Sequence, residues 1–114
     1  MRKIEQQMLD AIHDRRNWKC ANTEVVATVF THADNPIDRV TVYLHGSPIA
    51  TIAPDVVSIC DCGWQTPTTK SRINAVLRTL CNAYVYQDKK VWWVCANEDE
   101  WEIEKGERYL VARV

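Results

Sequence analysis

The spacing of apolar residues along the chain predicts two amphipathic helices, over residues 2–16 and 67–83. Thr66 and Pro67 predict the start of the second helix, because a threonine side chain caps free backbone N–H groups and proline lacks the N–H that would stay unpaired there. Each helix carries an apolar stripe at intervals of three and four residues, the pattern of a helix packed on one side. The stripes are Ile4, Met8, Ala11, Ile12 and the alkyl stem of Arg15 in the first helix, and Ile73, Val76, Leu77, Leu80, Cys81 and Tyr84 in the second, with Arg72, Asn74 and Arg78 mostly on other sides.

Segments rich in β-branched or alternating apolar residues predict the strands. The segment 24–31 is apolar on both faces, which is typical of an interior strand, and a turn is expected at Asp34 to Pro36. Residues 39–44 alternate, His45-Gly46-Ser47-Pro48 indicates a short connector, and residues 49–53 form the returning strand, which together predict a hairpin. Further strands are expected at 90–95, 101–104 and 108–114, the last two as a hairpin that turns at Lys105-Gly106. Residues 56–60 are compatible with one additional short strand, which is not counted in the element order below, and Trp18 is expected to fold back onto the core.

The order of elements predicts an α+β fold. It is α-β-β-β-α-β-β-β, with two helices packed on a mainly antiparallel sheet, and the 114 residues suit a single domain over residues 1–114. No apolar run reaches the roughly 18 residues that span a membrane, and no signal peptide is visible, so we expect no membrane partner. The odd number of five cysteines favours reduced thiols in a cytoplasm over a disulfide framework.

Charge is balanced overall but unevenly distributed. The chain holds 14 Lys+Arg against 15 Asp+Glu, for a net charge of −1, whereas domains that grip long stretches of nucleic acid are usually basic. Residues 70–90 carry five basic groups and one acid, and residues 91–107 carry six acids and one lysine. One surface is therefore expected to be basic and another acidic.

The acidic segment is the first candidate site. Glu98, Glu100 and Glu102 surround Trp101, and carboxylates beside an aromatic ring are suited to a basic protein partner. The alternative is a solvated strand edge whose charges prevent aggregation.

The start of the second helix is the other candidate. Hydroxyls and cations cluster within its first turns, where free N–H groups and the helix dipole favour an anion, and the Trp64 ring is suited to stacking a base. The predicted contacts to a nucleic-acid phosphate or a nucleotide are Trp64, Thr68, Thr69, Lys70, Ser71 and Arg72. Ordinary helix capping, with Trp64 in the core, is the alternative.

No catalytic motif stands out in the sequence. Cys60 and Cys62 are close enough to suggest a metal pair, but zinc sites use wider cysteine spacing and four ligands, so two loop cysteines are the simpler interpretation. We therefore expect no catalytic residues, no metal and no cofactor.

Several strings in the sequence together resemble a family of small, largely uncharacterised accessory proteins of tailed bacteriophages. The resemblance extends to about residue 85 and implies a protein of the bacterial host cytoplasm, without implying an activity or site residues. The strings are Asn22-Thr23-Glu24-Val25, Val42-Tyr43-Leu44-His45-Gly46 with Ile49-Ala50, Gly63-Trp64 and, most specifically, Thr68-Thr69-Lys70-Ser71-Arg72-Ile73-Asn74.

Together these features predict a non-catalytic accessory protein that binds a host or phage protein, as a host-takeover factor or inhibitor. A second interpretation is a nucleic-acid- or nucleotide-binding module that uses residues 68–72. A third is a thiol- or metal-dependent enzyme.

Overall fold

The computed structural model describes residues 2–32 and 35–114, which form two helices and nine strands. The α+β class predicted from the sequence is confirmed, and the strands form two antiparallel sheets rather than one. The elements are α1 Lys3–Asp14, β1 Trp18–Cys20, β2 Thr23–His32, β3 Asn35–Leu44, β4 Ser47–Ile52, β5 Val56–Cys60, α2 Pro67–Leu80, β6 Tyr84–Asp88, β7 Val91–Ala96, β8 Asp99–Glu102 and β9 Arg108–Ala112.

The larger sheet has six strands in the order β1-β2-β3-β4-β5-β9. The predicted β3–β4 hairpin is confirmed, with Val42 opposite Ala50, and the interior position of β2 is confirmed by its pairing with β1 and β3. Trp18 lies in β1 and packs partly buried against the core, as expected. Asp34, part of the turn predicted between β2 and β3, lies outside the described residues.

A β-bulge interrupts the β3–β4 pairing. Tyr43 pairs with Pro48 and Val42 with Ala50, so Ile49 is the extra residue on β4. Side chains of adjacent strand residues normally point to opposite faces, but the bulge lets both Ile49 and Ala50 be buried. Ile49 thereby reaches the start of α2.

The smaller sheet contains β6, β7 and β8 in that order. β6 begins at Tyr84, and the second helix is shorter than the predicted range 67–83. The helix ends at Leu80, and Asn82 takes a left-handed φ of 50°, so Tyr84 belongs to a strand. The Asn74 side chain holds the outer edge of this strand. It donates to the Val85 carbonyl at 2.8 Å and accepts from the Val85 N–H at 2.6 Å, satisfying both backbone groups.

The predicted hairpin of residues 101–104 and 108–114 is wrong. β8 pairs with β7 in the smaller sheet, whereas β9 pairs with β5 in the larger one. The Lys105-Gly106 turn therefore carries the chain from one sheet to the other, and the Gly106 N–H is tied to the buried Asp61 carboxylate at 2.7 Å.

The core contains a buried ion pair that joins the two helices. Arg72 Nη1 donates to Glu5 Oε2 at 2.8 Å, and Arg72 Nε donates to Thr23 Oγ1 at 3.1 Å. The Ser71 hydroxyl donates to the same Glu5 oxygen at 2.5 Å. Arg72 is 4% exposed, so its predicted place on the polar side of the helix is wrong.

Two other positions of the predicted helix stripes differ. Arg15 ends α1 in the left-handed conformation, is exposed and forms an ion pair with Asp38, so its stem does not extend the buried row. Leu80 is only half-buried, whereas Leu77 and Val76 are fully buried. The predicted apolar stripe of α2 is thus confirmed at the centre of the helix.

Candidate functional site

A cleft of about 510 Å³ opens beside the start of α2. Its floor includes the buried side chains of Leu44 and Ile49, and Trp64 stands on its wall with 66% of its surface exposed. Volumes of this size, mainly apolar with a few polar groups, are typical of small-molecule sites. The remaining lining residues are polar: His45, Ser47, Asp61, Thr66, Thr68 and Thr69.

The loop that carries Trp64 is held from below by Asp61. Its carboxylate accepts from the Gly63 N–H at 2.8 Å, the Gly106 N–H at 2.7 Å and the Gln65 side-chain amide at 3.0 Å. A tight turn closes with a 2.9 Å bond from the Trp64 N–H to the Asp61 carbonyl. The Trp64 backbone is therefore fixed while its ring remains open to solvent.

Most donors at the start of α2 are used by the cap itself. The Thr66 hydroxyl accepts from the Thr69 N–H at 3.1 Å and pairs with the Thr69 hydroxyl at 2.9 Å. Pro67 has no N–H. Among the described residues, the Thr68 N–H is the one donor of the first turn without a protein partner. The predicted capping pair is confirmed, and it leaves little of the helix end for an anion.

The cations predicted beside this helix end do not converge on the cleft. Arg72 and Ser71 point inward to Glu5, so neither is free for a ligand. Lys70 lies with its Nζ 5.9 Å from the centre of the Trp92 ring and does not line the cleft. Of the six predicted contacts, Trp64, Thr68 and Thr69 line the cleft, and Thr69 is engaged in the cap.

A second feature lies on the outer face of the smaller sheet. The strand register aligns Tyr84 with Cys95 and Glu100, and Tyr86 with Trp93 and Glu102. Side chains on the opposite face of the same strands, such as Val85 and Val94, are buried. We call the solvent-facing set Tyr84, Tyr86, Trp93, Glu100 and Glu102 the acidic-aromatic face.

Polar contacts organise this face. The Tyr86 hydroxyl donates to a Glu100 carboxylate oxygen, and this hydrogen bond raises the pKa of Tyr86 to about 12. The Arg78 guanidinium lies 4.9 Å from the centre of the Tyr84 ring, within the range of a cation–π contact. The chain itself therefore places a cation over one of these rings.

The predicted acidic site is partly rearranged. Glu98, Glu100 and Glu102 are all exposed, as expected. Trp101, however, is half-buried against the core and lies opposite Val94, so it does not stand beside the carboxylates. Tyr86 and Trp93 take its place on the outer face.

All five cysteines are free thiols. Burial, reinforced by a hydrogen bond to Cys60, raises the pKa of Cys62 to about 11, and burial also raises the pKa of Cys81. The described residues contain no cluster of three or more His, Cys, Asp or Glu side chains arranged for a metal.

Sequence reasoning missed the residues supplied by β6 and by the β3–β4 turn. Tyr84 and Tyr86 were masked by the helical spacing that precedes them, although the alternation in Tyr84-Val85-Tyr86 is a strand signal. His45 and Ile49 reach the cleft only because a turn and a bulge aim them there, which no local pattern reveals.

The described part of the chain holds no helix long and apolar enough to cross a membrane. Comparison with models of known protein families places the chain among the proteins of tailed phages. The chain belongs to the family described as Kyanoviridae Gp96 protein, whose family model matches residues 1–109. This confirms the phage resemblance. No curated protein and no solved structure matches the chain significantly.

Proposed function

We propose that this phage protein is a non-catalytic accessory protein that binds a basic segment of a host or phage protein through its acidic-aromatic face. The observation that carries the proposal is the register of β6, β7 and β8, which places three aromatic rings and two carboxylates on one solvent-facing surface. Aromatic side chains supply contact area, and carboxylates select a partner of opposite charge.

The charge around this face supports a cationic partner. Glu98 in the β7–β8 turn and Asp99 at the start of the edge strand β8 add two further exposed carboxylates. Arg78 already lies over the Tyr84 ring, so lysine or arginine side chains of a partner suit the neighbouring Tyr86 and Trp93 rings. A patch of this sign also accelerates association with a basic partner, most strongly at low salt.

The competing interpretation as a phosphate-binding module has less support. Arg72 and Ser71 are consumed by Glu5, and the capping residues occupy the other donors at the helix start. A free anion site at residues 68–72 thus depends on Thr68 and Lys70, too few contacts for firm binding to nucleic acid.

The test compares two variants with the same change in net charge. Glu100→Lys with Glu102→Lys reverses the acidic-aromatic face, whereas Asp10→Lys with Asp55→Lys reverses two exposed acids on α1 and in the β4–β5 turn. The probe is a short peptide rich in lysine and arginine, titrated at low and at raised salt. Exposed ion pairs contribute up to about 1 kcal/mol each, so the face variant is expected to lose about tenfold in affinity.

The same variants are then used as baits in lysate of infected host cells after nuclease treatment. We expect wild type and the control variant to retain the same protein partner and the face variant to lose it. Equal loss in both variants would show that net charge alone decides binding, and undiminished binding by the face variant would overturn the proposal.

A further inference from the structure

We propose that the cleft beside α2 is a second binding site, and that it takes a neutral planar heterocycle of the nucleobase type stacked on Trp64. This site is separate from the acidic-aromatic face, and neither proposal depends on the other. The first observation is the exposure of Trp64, a residue that is 66% accessible although its backbone is anchored on both sides.

The anchoring orders the backbone that carries the ring. The Asp61 carboxylate holds Gly63 and Gln65 on either side of Trp64, and the same carboxylate joins the loop to Gly106. A ligand that stacks here does not have to order this backbone first, which lowers the entropic cost of binding.

The shape and chemistry of the cleft select a ring with polar edges. Leu44 and Ile49 provide an apolar floor, which favours a flat and weakly solvated group. At the rim, the Ser47 and Thr68 hydroxyls and the His45 ring form no side-chain hydrogen bond with the described residues, and the Thr68 N–H is also unpaired. A nucleobase satisfies such groups through the donors and acceptors on its edge, whereas a phenyl ring leaves them unpaired.

The charge of the cleft excludes a phosphate as the main contact. None of its lining residues is lysine or arginine, and the one carboxylate, Asp61, is buried and already accepts three hydrogen bonds from the protein. The base rather than the phosphate is therefore the recognised part, so a nucleoside, a nucleotide and a base within a single strand share the same chemistry.

The experiment records amide and tryptophan indole N–H signals by two-dimensional NMR during titrations with adenosine, cytidine, their monophosphates, a short single-stranded oligonucleotide, N-acetyl-phenylalaninamide and inorganic phosphate. Nucleosides are expected to shift the Trp64 indole signal and the amides of His45, Ser47 and Thr68. The added phosphate of the monophosphates is expected to change affinity by less than about twofold, because no cation lines the cleft. Comparing nucleoside with oligonucleotide identifies which source binds more tightly.

Two variants make the assignment specific. Trp64→Ala removes the stacking surface of an exposed residue and is expected to weaken nucleoside binding by about fivefold or more, whereas Trp64→Phe keeps a ring and loses less. Tyr84→Ala, on the acidic-aromatic face, is expected to leave nucleoside binding unchanged.

Three outcomes would overturn the proposal. The first is the absence of any shift with every nucleoside. The second is that inorganic phosphate alone shifts the Thr68 amide while nucleosides do nothing, which would assign an anion site. The third is that N-acetyl-phenylalaninamide binds as tightly as the nucleosides, which would show that the polar groups at the rim do not recognise the edge of a base.

Discussion

At the scale of single residues, the Cys62 thiol has low reactivity. Burial and the Cys60 contact raise the pKa of Cys62 to about 11, so at neutral pH nearly all of this thiol is protonated. The thiolate is the nucleophile and the metal-binding form of cysteine. Cys62, one of the two cysteines that suggested a metal pair in the sequence, is thus not an activated nucleophile at neutral pH.

This pKa predicts the order in which the cysteines are alkylated. In native protein at pH 7.5, exposed Cys20 is expected to react with iodoacetamide first, while Cys62 and the buried Cys81 lag by at least about tenfold, because both thiols have raised pKa values and restricted access. Mass spectrometry of peptides over a time course measures the rates, and urea-unfolded protein is the control in which the differences vanish. Fast native modification of Cys62 would contradict the prediction.

The environment of Arg72 could be predicted only in part from the sequence. On a helical wheel it lies beside the apolar stripe, and arginine is almost never fully buried unless it is paired. Its partner Glu5 is 67 residues away in the chain and carries no local signal of the contact. The helix was therefore predictable from the sequence, whereas the burial of Arg72 and its pairing with Glu5 were not.

At the scale of elements, the Glu5–Arg72 pair fastens α1 to α2. Removing one partner leaves the other charge buried without compensation, which costs about 3–5 kcal/mol, whereas replacing both with apolar side chains of similar size is often nearly neutral. We expect Arg72→Met and Glu5→Leu each to lower the free energy of unfolding by about 3–5 kcal/mol, and the double variant to lose much less than the sum. Urea unfolding of all four proteins measures the coupling.

Additive losses in that cycle would contradict a direct interaction between Glu5 and Arg72. Ser71→Ala serves as the matched comparison, since it removes one hydrogen bond to Glu5 and keeps both charges. Its expected loss is smaller, about 1–3 kcal/mol for a donor to a buried carboxylate.

Elements with local signals were predicted well and elements defined by distant pairing were not. The β3–β4 hairpin follows from the alternation of residues 39–44, but its connector is two residues rather than the predicted four. His45 and Gly46 have a positive φ, at 50° and 80°, as a two-residue hairpin turn requires, and β4 begins already at Ser47. β6 was missed because apolar spacing continued the helix as far as Tyr84. The assignment of β8 and β9 to different sheets depends on pairing with β7 and β5, which the intervening Gly106 turn does not reveal.

For the whole molecule, the acidic and basic segments of the sequence differ in how far they form charged surfaces. The predicted acidic surface corresponds to the edge and outer face of the smaller sheet, where Glu98, Glu100 and Glu102 are exposed. The predicted basic segment is less free, because Arg72 is buried and Arg78 lies over Tyr84. Sequence reasoning thus located the acidic region, but not its aromatic half, and it overestimated the cations available to an anion.

The most direct test of partner binding maps where a lysine- and arginine-rich peptide contacts the protein. Each of the five tryptophans carries one indole N–H that two-dimensional NMR detects, and they include Trp93 on the acidic-aromatic face and Trp64 on the cleft. The predicted result is that the peptide shifts the Trp93 indole and the amides of Glu100 and Glu102, leaves Trp64 unchanged, and loses these shifts in the Glu100→Lys, Glu102→Lys variant. Shifts centred on Trp64, or small shifts spread evenly over the surface, would contradict the assignment of the acidic-aromatic face as the contact site.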